Sequence, residues 1–233
     1  MAGVMVSTKL DLATLSPRHV NTFLHDQNQK QNNTHVEIVN PRGAHNIALG
    51  LDAPVEVHIH GHVGYYAAGM NKQAHVIIHG NAGKGLAENI MSGVVRVTGN
   101  ASDCVAATGR GGLVVVEGDA ASRCGVSMKG VDIVVGGSIG HMSAFMAQAG
   151  TLVCCGDAGA HLGDSLYEAV IYVGGEIRSL GAAARQEPMT EKDYEKVRGL
   201  LEQAGIQRDP KRFKRVASAR TLYHWNAEAN QEY

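Results

Sequence analysis

The sequence predicts an all-β chain, a single-stranded, right-handed parallel β-helix of about seven nineteen-residue coils with short helical extensions at both ends. Three observations predict it. Glycine recurs every nineteen residues, at Gly61, Gly80, Gly99, Gly118, Gly137, Gly156 and Gly175. Two aliphatic columns travel with it: Val57, Val76, Val95, Val114, Ile133, Leu152 and Ile171 four places before, and Ile59, Ile78, Val97, Val116, Val135, Cys154 and Val173 two places before. A column of small residues follows seven places after: Ala68, Ala87, Ala106, Gly125, Ala144, Gly163 and Ala182.

A strict repeat of this length means one structural unit copied along an axis. Aliphatic residues two apart face the same side of a strand. The glycine ends that strand, and its tolerance of positive φ is the expected reason. Nineteen residues are too few for a packed helix pair and about half a propeller blade. A left-handed hexapeptide solenoid would show an aliphatic position every six residues, a spacing absent here. Coils stacked at about 4.8 Å make seven of them a rod about 30 Å long. The aliphatic columns then become interior ladders, which makes Cys154 a small core hydrophobe and not a nucleophile.

Residues 1–34 read as an N-terminal helical extension or cap. Ser16-Pro17 opens a helix with serine as cap and proline at the first position, and Val20, Phe23 and Leu24 form its apolar stripe. A polar loop from Asp26 to Thr34 follows, and Val36-Glu37-Ile38 leads into the coils. The β-helix itself occupies residues 35–185. Residues 186–233 read as a helical tail. Thr190-Glu191-Lys192-Asp193 resembles a capping box, Tyr194, Val197, Leu200 and Leu201 share a face, and Gly205 ends the helix. Lys211, Arg212, Lys214 and Arg215 follow, a charge run of the kind that is usually solvated, and then Leu222-Tyr223-His224-Trp225. Solenoids must cover their ends, and the terminal segments are the natural caps.

Three places before each repeat glycine, on the face opposite the ladders, stand His58, Ile77, Arg96, Val115, Val134, Val153 and Tyr172. An outward row of Val115, Val134 and Val153 is unusual for a free monomer. Either the terminal segments cover it or another subunit does. The expectation favours another chain, which makes these three valines candidate interface residues.

With 21 basic and 22 acidic residues the chain has no single-sign field, so neither nucleic acid nor membrane lipid is an expected partner. No signal-peptide pattern opens the chain and no apolar run is long enough to span a bilayer, so a cytoplasmic location is expected. Cys104, Cys124, Cys154 and Cys155 contain no C-x-x-C pair. Asn32-Asn33-Thr34 matches a glycosylation acceptor, without meaning in a cytoplasmic chain. Gly80-Asn81-Ala82-Gly83-Lys84-Gly85 lacks the spacing and the Ser or Thr of a phosphate loop. His58, His60 and His62 alternate, with His79 one coil above His60. Imidazoles so grouped can bind a transition metal, but Val57 and Ile59 claim the interior, and a polar outer face is the simpler reading. No serine–histidine–acid constellation stands out. Catalytic, cofactor-binding and metal-binding residues are therefore assigned to none of this chain's positions.

Several segments carry a resemblance: Gly64-Tyr-Tyr-Ala-Ala-Gly-Met70, Ala87-Glu-Asn-Ile-Met-Ser-Gly93, Ala107-Thr-Gly-Arg-Gly-Gly112, Gly136-Gly-Ser-Ile-Gly-His-Met-Ser-Ala-Phe-Met146 and Gly163-Asp-Ser-Leu-Tyr-Glu168. They resemble the glycine-motif β-helix domain at the C-terminus of glutamate synthase large subunits, over about residues 35 to 185. Among free-standing proteins the chain is most similar to the β-helix subunit of N-methylglutamate synthase (methylamine–glutamate N-methyltransferase), and to a rhizobial glutamate-synthase-like protein. The β-helix subunit of formylmethanofuran dehydrogenase is a weaker resemblance. The resemblance implies a non-catalytic subunit bridging an amidotransferase-like subunit and an FMN-binding one. The assembled enzyme would make N-methyl-L-glutamate and ammonia from methylamine and L-glutamate, or act on ammonia. The family's catalytic cysteine, flavin contacts and iron–sulfur ligands lie on its other domains, so FMN, and any iron–sulfur cluster, belongs to a partner. Contacts to such partners, or to a tunnel between them, are expected at the coil turns around Arg110 and His141.

Overall fold

A computed structural model of the chain describes residues 7–27 and 35–220. Most of the expected Asp26–Thr34 loop, the Asn32 acceptor, the first six residues and the Leu222–Trp225 segment lie outside the described residues.

The chain is a parallel β-solenoid. Nine strands pair in sequence order, each parallel to the next: β1 (Ser7–Asp11), β2 (His35–Val39), β3 (Glu56–His60), β4 (His75–His79), β5 (Val94–Val97), β6 (Leu113–Val116), β7 (Lys129–Val135), β8 (Ala149–Cys154) and β9 (Val170–Val173). From β3 to β9 the register steps by nineteen, Val57 on Val76 on Val95 and so on to Leu152 on Ile171. Both aliphatic columns are fully buried in every coil, Cys154 included. A second, single-bridge row stacks Val63, Ala82, Ala101, Ala120, Ile139, Ala158 and Ile177 across the coil from the strands.

The repeat glycines are there for closeness rather than for φ. Only Gly61 of the seven has a left-handed φ, at 132°. A Cβ on Gly118 would lie 2.2 Å from the Asn100 side-chain oxygen and 2.9 Å from the Gly99 carbonyl, and Gly99, Gly137 and Gly175 meet the same obstruction from Asn81, Asp119 and Asp157. The coil below presses its backbone and one polar side chain into the space a side chain would need.

The left-handed backbone sits elsewhere, mostly on non-glycine residues. A trio of alternate residues in each coil's turn adopts it, as Tyr66, Ala68 and Met70 do, then Gly85, Ala87 and Asn89, then Cys104, Ala106 and Thr108. Such φ values are costly for residues with a Cβ, and here the stacking fixes them. The first and third amides of each trio donate to the next coil, as Tyr66 N does to Lys84 O (2.9 Å) and Met70 N to Glu88 O (2.7 Å). The middle amide donates to the previous coil, as Ala87 N does to Ala67 O (2.9 Å). The small-residue column is the middle member, buried at Ala68, Ala87, Ala106 and Ala144.

Both ends depart from simple helical extensions. At the N-terminus, β1 joins β2 in parallel before α1 (Pro17–Gln27) packs Val20 and Leu24 completely into the solenoid core. At the C-terminus, α2 (Glu191–Ala204) forms as the capping box predicts, with Thr190 and Asp193 bonding reciprocally and Gly205 closing it at φ 65°. It is flanked, however, by β10 (Ala184–Glu187) and β11 (Lys214–Ser218). β11 lies antiparallel to β9, and β10 antiparallel to β11, so the tail is part of the sheet.

The outward apolar row is covered by this same tail. Val115, Val134 and Val153 are fully buried, and Tyr172 nearly so, in a second core made with Val197, Leu200, Leu201 and Ala204 of α2 and with Phe213. This corrects the expectation of another chain over those valines: the terminal segment does the covering. Polar ties hold the helix in place. Arg96 donates to the Ala204 carbonyl (2.6 Å) and to Glu117 (2.7 Å), Lys196 reaches Asp132 (2.8 Å), and the Tyr172 hydroxyl donates to Asp193 (2.6 Å). The guanidinium at Ala204 meets the negative end of the helix dipole.

Candidate functional site

The left-handed trios and the residues around them stack into a ridge of turns along one side of the rod. Every large hydrophobic residue exposed among the described residues lies on it: Tyr65 (52%), Tyr66 (41%), Met70 (44%), Met91 (41%) and Met146 (50%). The backbone beneath is fixed by bonds from coil to coil, so the side chains project from a stiff platform. Arg110 and His141 are both exposed in these turns. The structure does not bring the two together: Arg110 follows Gly99 by eleven residues and His141 follows Gly137 by four, two coils apart. His141 instead meets His161 edge-on, ring centroids 5.3 Å apart. Val115, Val134 and Val153, expected with them at an interface, lie under α2.

A polar ladder borders the repeat glycines, one residue after each. His62 Nδ1 accepts from the Asn81 amide (2.9 Å), the Asn81 side chain from the Asn100 amide (2.9 Å), and Asn100 from Asp119 (2.8 Å). Asp119 then accepts from Ser138, Ser138 from Asp157, and Asp157 from Glu176, at 2.7, 3.0 and 2.7 Å. Each coil thus caps an amide of the next through a short side chain. Sequence reading missed this ladder, although its signal was present as a column of His, Asn, Asn, Asp, Ser, Asp and Glu.

The ladder takes His62 away from its neighbours. His58, His60 and His79 do gather on the outer face of β3 and β4: His79 stacks on His60 (4.9 Å) and His58 (5.2 Å), and His58 Nδ1 lies 3.0 Å from His79 Nε2. Burial, then the nearby His60 and His58, push the His79 imidazole below its ordinary pKa. The cysteines are poor nucleophiles at neutral pH. Burial raises the thiols of Cys104 and Cys124, pushes Cys155 up to about 11 and Cys154 up to about 12, whereas reactive cysteines are shifted down. Among the described residues no helix is long and apolar enough to cross a membrane.

No protein-family model matches the chain. It is 52% identical over 225 residues to Protein GlxC of Rhizobium meliloti (strain 1021), an alignment that covers 96% of this chain and 99% of that protein.

Proposed function

Because the chain belongs to the family of Protein GlxC, we propose that it acts as a structural, non-catalytic subunit of a glutamate-synthase-like enzyme. Its partners are an amidotransferase-like subunit and an FMN-binding subunit, and the flavin, with any iron–sulfur cluster, resides in the latter. The reaction of the assembly is formation of N-methyl-L-glutamate and ammonia from methylamine and L-glutamate, in the cytoplasm. One observation supports this reading above others. The segments that resemble the glutamate synthase β-helix domain are the turns of the ridge, and they contain Tyr65, Tyr66, Met70, Met91 and Met146. Tyrosine, methionine and arginine are enriched in the buried centres of protein interfaces, and a stiff platform keeps the ordering cost of docking low.

The test is a pull-down of the tagged chain from its native cell, with a visible spectrum and mass spectrometry of the eluate. A yellow complex containing amidotransferase-like and synthase-like chains is expected, and Met146→Glu with Met70→Glu should release those partners without changing the fold. Assaying methylamine against ammonia then decides the amine, since an ammonia-dependent glutamate synthase would use the same platform. A colourless chain eluting alone would instead make it a free-standing scaffold.

A further inference from the structure

The outer face of the solenoid is used in two ways. Its C-terminal half is covered by α2. Its N-terminal half, on β2 to β4, carries a cluster of imidazoles and carboxylates that extends beyond the histidines legible in the sequence. Parallel pairing places His35 of β2 beside Glu56 of β3, and Glu37 of β2 beside His58. One nitrogen or oxygen from each of His35, Glu56 and His58 lies within 4.8 Å of the others. His58 Nε2 is 2.8 Å and His35 Nδ1 3.8 Å from the same Glu56 oxygen. His35 Nδ1 is buried from solvent and has no hydrogen-bond partner among the described residues.

We propose that His35 Nδ1, Glu56 and His58 Nε2 bind a divalent transition metal of the zinc class, leaving a fourth position open. Zinc takes nitrogen and carboxylate ligands at about 2.0–2.2 Å, so tetrahedral ligand atoms stand about 3.3 Å apart. The separations from Glu56, 2.8 and 3.8 Å, bracket that value, and with all three ligand atoms within 4.8 Å of one another side-chain rotation is what closes them on an ion. Two imidazoles and a carboxylate are a donor set this class of ion accepts.

The surroundings match what metal-bound imidazoles require. A ligating histidine uses its second nitrogen to donate to a carboxylate or other acceptor, which fixes its tautomer. His35 Nε2 lies 2.5 Å from Glu37 Oε1, and His58 Nδ1 lies 3.0 Å from His79 Nε2. Both histidines therefore turn their remaining nitrogen toward Glu56 with the other already engaged, and an ion would displace the bond that His58 Nε2 makes to Glu56 together with its proton. Glu37 is itself held by His60 through its second oxygen. His35 belongs to β2 and the other two ligands to β3. The ion would thus staple β2 to β3, where the nineteen-residue register begins.

The untagged full-length chain, stripped with chelator, is titrated with zinc by calorimetry and with cobalt by visible spectroscopy. One equivalent should bind, cobalt should give the intense bands of tetrahedral coordination, and zinc should raise the melting temperature. His35→Ala and His58→Ala should each weaken binding by at least 100-fold. Glu37→Gln, whose carboxylate bonds to His35 and His60, should weaken it by 10- to 100-fold. His19→Ala, on α1, should change nothing. Glu56→Gln guards against misfolding: its side chain is 45% exposed, so it should melt like the stripped parent and lose the zinc-induced shift. No stoichiometric binding, or binding equal in His35→Ala, His58→Ala and the parent, overturns the site. Partner capture is not needed for any of these readouts, so this test and that of the subunit role fail separately.

Discussion

Val134 stands at the middle of the outward row, paired with Val115 on one side and Val153 on the other, and fully buried beneath α2. Val134→Ala removes two carbon groups from this contact, about 1.6 kcal/mol at about 0.8 kcal/mol per methylene before any cavity cost. For a chain of this length the expected fall in melting temperature is about 3–6 °C. Val134→Glu is harsher. A carboxylate placed under the helix, among the apolar side chains that now surround Val134, costs several kcal/mol. Escape requires lifting α2, which exposes Val197, Leu200, Leu201 and Phe213. At about 1.5–3 kcal/mol for each fully buried side chain, that is also a loss of several kcal/mol. Either route should lower stability by at least about 3 kcal/mol and speed hydrogen exchange of the amides from 191 to 204, while exchange in β3 to β6 stays slow. Wild-type melting and unchanged protection of α2 in Val134→Glu would refute the burial of this row by the chain's own tail.

Four further outcomes follow from the packing and the tail's polar ties. Gly118→Ala, whose new methyl would press on Asn100 and Gly99, should cost about 1–3 kcal/mol in denaturant titrations. Gly199→Ala, on α2 with nothing within 4 Å of its added methyl, should instead gain about 1 kcal/mol. Tyr172→Phe deletes a buried bond to a charged acceptor and should cost about 1.5–3 kcal/mol by the same measurement. Burial alone would raise the Asp193 carboxyl, but bonds from Thr190 and Tyr172 outweigh it and hold the folded pKa below the unfolded one. Its stabilisation is therefore present above the unfolded value of about 4 and lost as pH falls through the lower folded value. Acid titration of α2 exchange should show this loss, and Asp193→Asn should flatten it.

The coils were legible because every one repeats the same inward pair at the same spacing, so seven weak signals fall into one register. Helix α2 was legible from Thr190, Asp193 and Gly205, whose roles are local. What escaped depends on contacts across the chain. Ser7–Asp11 pairs with a strand twenty-eight residues later, and nothing local marks it as sheet. Lys214–Ser218 reads as a basic run until β9 and β10 flank it. The cover over Val115, Val134 and Val153 could be posed from sequence as a choice between tail and partner, but only the docking of α2 decides it. His35, Glu37 and Glu56 were missed for a plainer reason: β2 leads β3 by twenty-one residues rather than nineteen, so alignment on the repeat never sets them side by side.

The two antiparallel strands at the C-terminal end have a consequence for assembly. A stack of parallel strands is an open template, and its last strand offers a row of amides and carbonyls to any further strand. Here β9 gives that row to β11, which runs the wrong way to continue the stack, and the outermost strand, β10, carries Arg185 and Glu187 already tied into ion pairs. Growth from this end is terminated as a capped polymer is. Among the described residues, a second copy that stacked on this end would meet an antiparallel strand with paired charges and not another parallel coil.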